Sequence, residues 1–89
     1  MGLGRLRIDV IYEGNKIQIF NSLKVCSLVI NDRVADTFIG LYAGEFQLRG
    51  KIQTNDGEKE ILAEMSLFTA VMHVFCDGTL VAKKWMPFG

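Results

Sequence analysis

The chain has 89 residues, 49% hydrophobic and 22% charged, which suits one folded domain over 1–89 with a single core and excludes a chain that is mainly disordered. Ten basic residues balance ten acidic ones. No net field therefore gathers a polyanion, and nucleic acid is a disfavoured partner.

The opening MGLGRLRIDV carries charges where a secretory leader would be apolar, so a soluble, cytoplasmic protein with reduced thiols is expected. Over 5–12, Leu6, Ile8, Val10 and Tyr12 alternate with Arg5, Arg7 and Asp9, the period of two of a half-buried strand. Gly14-Asn15 then marks a turn. A second strand is expected over 16–21, where Ile17 and Ile19 oppose Lys16, Gln18 and Phe20. The third, 24–30, is apolar on both faces, with Cys26, Leu28 and Ile30 against Val25 and Val29, and asks for cover on both sides. Asn31-Asp32 turns the chain into 33–39.

The junction DTFIGLYAGEF, Asp36 to Phe46, is apolar where a crossover is normally hydrophilic. A fifth strand follows over 45–54, with Leu48, Ile52 and Thr54 against Arg49, Lys51 and Gln53, and Asp56-Gly57 closes it. The next segment, GEKEILAEMSLF, has two readings. Its Glu, Lys, Ala, Leu and Met favour a helix with Ile61, Leu62, Met65 and Phe68 on one face, whereas its place in the order favours a strand over 59–65. The run 69–76 is again apolar on both faces, and Thr69 and His73 interrupt it well short of the roughly 20 residues that cross a bilayer as a helix. No membrane span is expected. Asp77-Gly78 leads into the last strand, 79–85.

The two halves share residues in order: Leu6-Arg7 with Leu48-Arg49, Gly14 with Gly57, Lys16 with Lys59, Ser22-Leu23 with Ser66-Leu67, Val29 with Val74, and Asp32 with Asp77. The separation grows from 42 positions at Leu6 to 45 at Asp32, as single insertions near turns would produce. An internal repeat of 5–38 and 46–85 also favours strand over helix at 59–65. The expected fold is all-β: an antiparallel β-sandwich or flattened barrel of eight short strands, built of two similar four-strand halves.

The stretch EGNKIQIFN, the strand ending LVINDRVAD and its second version ending HVFCDGTLVA resemble the Fas apoptotic inhibitory molecule family, in which a Gly-containing turn, an I-x-[IF] strand and a V-[DN]-G-type turn recur in two packed antiparallel sheets. The resemblance covers most of Tyr12 to Val81. It departs where a tryptophan opens the family's strand: Tyr12 stands nearest, and the single tryptophan is Trp85. It implies a non-enzymatic binding or regulatory module and supplies no catalytic residue.

Candidate chemistry centres on His73. It shares a face with Val71 and Phe75, which reads as a packed or interface histidine rather than a ligand. Zinc would need further partners at C-x-x-C or H-x-x-x-H spacing, and neither spacing occurs, so no metal or cofactor is expected. Cys26 could neighbour His73 if their strands paired, but a cysteine between Val25 and Leu28 reads as a small buried hydrophobe. A disulfide from Cys26 to Cys76 stays open, because spacing alone cannot show whether their Cβ atoms meet. Arg5, Arg7, Arg49, Lys51 and Lys83-Lys84-Trp85 form the only basic cluster with an aromatic, and they also read as solvated edge charges.

Phe38, Ile39, Leu41, Tyr42 and Phe46, with His73 and Trp85, are the candidate interface or ligand contacts. The expected function is a non-enzymatic protein-interaction module, homodimeric or meeting another protein; the alternative is a small carrier holding an apolar molecule between its sheets. An enzyme using His73 and Cys26 ranks behind both.

Overall fold

The computed structural model describes residues 6–21, 25–39, 46–65 and 71–85. They form eight strands: β1 Leu6–Tyr12, β2 Asn15–Asn21, β3 Val25–Ile30, β4 Arg33–Ile39, β5 Phe46–Thr54, β6 Gly57–Met65, β7 Val71–Cys76 and β8 Thr79–Trp85. Each strand pairs antiparallel with the next, giving one sheet of β1-β2-β3-β4 and another of β5-β6-β7-β8. No helix among the described residues is long and apolar enough to cross a membrane. The helical alternative for GEKEILAEM is overridden. Ile61, Ala63 and Met65 are buried while Leu62 and Glu64 alternate outward, so tertiary burial at period two decides against local propensity.

The alternation read from the sequence builds the core. Ile8, Ile17, Ile19, Cys26, Leu28 and Ile30 from the first sheet meet Leu48, Ile52, Ile61, Ala63, Met65, Met72, Val74 and Cys76 from the second. Both cysteines are buried and free. Two turns sit one residue earlier than expected. Glu13-Gly14 and Asn55-Asp56 make them, so Asn15 and Gly57 become strand residues paired with Tyr12 and Thr54.

The halves correspond closely in register. In the hairpin β3–β4 the pairing slips between Leu28 and Val29, and in β7–β8 it slips between Val74 and Phe75. Leu28 and Val74 thus occupy the same place. Asn31 and Asp77 are equivalent too: both have positive φ, 50° and 48°. Each gives its backbone N–H to the strand before, to the carbonyl of Lys16 or Glu60, and each accepts through Oδ1 from the N–H of that same residue at 2.9 and 2.8 Å. These registers relate Ile8 to Leu48, Ile17 to Ile61 and Asn31 to Asp77. The separations are 40, 44 and 46, in place of the 42 to 45 read from sequence matches. The step from 40 to 44 arises in the β5–β6 hairpin, whose arms have nine residues where those of β1–β2 have seven, and the step to 46 in the connection 66–70, which is two residues longer than 22–24.

The sheets meet along β3, β4 and β5. A Cβ on Gly50 would lie 2.6 Å from Ile30 Cδ1 and 3.0 Å from the Cβ of Ala35, the bulged residue of β4, so glycine permits this approach without displacing either neighbour. Phe38 and Phe46 stack beside it, ring centroids 4.7 Å apart. At the turn end Asn15, the single buried polar residue among the described ones, donates to the Gln53 carbonyl of the other sheet at 2.8 Å and accepts from Asn31 Nδ2 at 3.0 Å. Asp36 and Lys84 stand opposite the buried Leu28 and Met72 in their hairpins. Asp36 accepts from the Arg49 N–H at 2.9 Å and Lys84 donates to the Arg7 carbonyl at 2.8 Å, so a charged side chain from each sheet occupies an edge of the other.

Candidate interaction surface

β6, β7 and β8 turn a second set of residues away from the core. Their register sets these in rows across the sheet. One row runs Arg49, Leu62, Phe75, Leu80; the next runs Gln47, Glu64, His73, Lys83; a third pairs Val71 with position 85. Leu62, Phe75 and Val71 are half-buried and Leu80 is 45% exposed. The first row is therefore apolar over three adjacent strands, with an aromatic ring at its centre. The His73 ring lies 6.2 Å from that of Phe75, interplanar angle 19°. Glu64 accepts from Gln47 Nε2 at 2.7 Å.

The equivalent face of the first sheet differs at the positions that matter. Gln18 stands where the second sheet has Leu62, and Ser27 where it has His73. The Gln18 bond to Asp9, backed by Arg7, holds the Asp9 carboxyl below the usual carboxylate range. The exposed apolar residues there are divided: Val34 pairs with Val29 and Ile39 with Val25, the hydroxyls of Ser27 and Thr37 lie between them, and Arg7 covers the Phe20 ring at 5.8 Å. That face carries Ile11, Phe20, Val34 and Ile39 exposed, but at separated positions rather than side by side in one row.

The expected contact residues are divided by the fold. Phe38 and Phe46 face inward and seal the junction of the sheets, Ile39 is 75% exposed on the first sheet, and His73 lies on the second. Leu41 and Tyr42 lie outside the described residues; Trp85 contributes its backbone to β8, paired with Val71. Leu62, Glu64, Leu80 and Lys83 were missed in sequence. Their signal was the outward alternation of 62 and 64, obscured by the competing helical pattern.

The catalytic alternative fails on placement. Cys26 is buried on the inner face of the first sheet, while His73 is on the outer face of the second. Burial pushes the Cys26 thiol up to about 12, far from nucleophilic use. Among the described residues no group of three or more His, Cys, Asp and Glu is disposed to hold a metal. The basic cluster is dispersed as well: Arg7 pairs with Asp9, Arg49 with Glu60 and Lys51 with Glu58, and Lys84 is turned to the Arg7 carbonyl.

A further group gathers where the β1–β2 and β5–β6 turns meet. Lys59 lies 3.8 Å from the carboxylates of both Glu13 and Asp56 and over the Tyr12 ring at 5.9 Å. Burial disfavours its ammonium, but Tyr12, Glu13, Asp56 and Cys76 outweigh that, and its pKa is raised. A lysine so held is a clasp between sheets rather than a nucleophile.

No protein-family model, curated protein or solved structure matches this chain, and the resemblance to the Fas apoptotic inhibitory molecule family rests on its quoted residues alone.

Proposed function

We propose that the protein is a non-enzymatic interaction module whose working surface is the outer face of the second sheet. The observation that carries this reading is the contiguous row Leu62, Phe75 and Leu80, bordered by the row of Glu64, His73 and Lys83, in a molecule whose other face breaks the same row with Gln18. Apolar side chains set side by side with a polar border are the pattern of a protein contact. The interior favours this surface over the carrier reading. Ile17, Ile19, Leu28, Leu48, Ile61, Met72 and Val74 are all essentially inaccessible, and at Gly50 a single added carbon would already crowd Ile30 and Ala35.

The test is capture of binding proteins by immobilised wild-type chain beside Leu80→Lys and Val34→Lys. Both residues are exposed, on opposite sheets. Leu80→Lys is expected to lose the captured proteins and Val34→Lys to retain them; equal loss or equal retention would count against this face.

A further inference from the structure

We infer that the partner of this face is a second copy of the chain, packed face to face about a two-fold axis running along β7. The inference rests on the proposed surface and adds its occupant. Its ground is the charge arrangement in the His73 row. Glu64 lies one strand to one side of His73 and Lys83 one strand to the other. With strands about 4.8 Å apart, roughly 10 Å separates the two backbones, and the imidazole stands between them. Glu64 bonds to Gln47, and among the described residues Lys83 makes no ion pair.

A two-fold axis along β7 exchanges β6 of one copy with β8 of the other while keeping each row opposite itself. Glu64 of each copy then faces Lys83 of its mate, twice. In the neighbouring row Leu62 faces Leu80 and Phe75 meets Phe75. Charge and apolar surface are both self-complementary under this one operation, which is what an isologous interface requires. The first sheet does not allow it: Phe20 and Thr37 occupy the places of Glu64 and Lys83. The overlap of β6, β7 and β8 spans roughly 15 Å across the strands and 20 Å along them, at the small end of specific interfaces, so association no tighter than the micromolar range is expected.

The test uses Glu64→Lys and Lys83→Glu, each alone and mixed in equal amounts, by sedimentation velocity over a concentration series, with denaturation midpoints to establish that both fold. The wild type is expected to dimerise. Each single variant faces its own like charges and is expected to weaken dimerisation about 10-fold or more. The mixture should restore it, because lysine at both positions of one chain meets glutamate at both positions of the other. Single variants that dimerise as well as wild type, or a mixture that stays monomeric, would overturn the pairing. A wild-type chain that is monomeric throughout would overturn the second copy as partner, while the Leu80→Lys capture experiment would still decide the face itself.

Discussion

Two residues show how tightly the interior is specified. Gly50 lies where a Cβ would be 2.6 Å from Ile30 Cδ1, 3.0 Å from Ala35 Cβ and 3.3 Å from Leu28 Cδ2. The Ile30 methyl can rotate away, but the Ala35 Cβ is fixed to the backbone. Gly50→Ala is therefore expected to lower unfolding free energy by about 1–3 kcal/mol, measured by urea denaturation. Because Ile30→Val removes the nearest atom, its cost should be smaller in the Gly50→Ala background than alone. Cys26 makes a second case, through pH. Its unfolded thiol ionises near 9.0 and its buried one only at about 12, so the folded chain holds more protons across that window. The stability from the neutral thiol is intact below 9.0 and declines as pH rises through the window. Alkaline denaturation midpoints should fall less in Cys26→Ala than in wild type.

At the scale of the element, the hairpins β3–β4 and β7–β8 are one design carried out with different residues. Asn31 and Asp77 both adopt positive φ and both accept a backbone N–H through Oδ1. Asparagine already does this work in the first half, so Asp77→Asn should change stability by less than about 0.5 kcal/mol. Asp77→Ala should cost about 1–2 kcal/mol, because it loses the acceptor and meets the left-handed penalty; thermal or urea unfolding separates the two. Most of these elements were legible in sequence, since Ile8, Ile17, Ile19, Leu48 and Ile52 alternate with polar residues that cannot be buried. The bulges were not. Neither Ala35 nor Val81 differs in composition from its neighbours, and only the pairing shows that one residue on β4 and one on β8 is extra. The pairing registers of the two halves differ from those of the sequence matches, because identical residues such as Val29 and Val74 attracted the alignment. Fold equivalence pairs Val29 with Phe75, which no identity signals.

At the scale of the molecule, closure and association divide the apolar surface between them. Phe38 and Phe46 were expected to form an interface; the fold spends them on the junction between sheets, where β4 and β5 come together. The cover required by the two-sided strands was anticipated correctly for their inner faces, which meet the opposite sheet. Their outer faces differ. Ser27 stands at the centre of the outer face of β3 and His73 at the centre of that of β7, and only in the second sheet does the neighbouring row run apolar across three strands, through Leu62, Phe75 and Leu80. That contrast could not be read from either strand alone, since it depends on Leu62 and Leu80 flanking Phe75 across the sheet. The most direct measurement is an amide NMR concentration series from micromolar to millimolar protein. Self-association through this face should shift resonances at Leu62, Glu64, His73, Phe75, Leu80 and Lys83 together, leaving Gln18, Ser27 and Val34 in place. Shifts centred on the first sheet, or a spectrum independent of concentration, would contradict it.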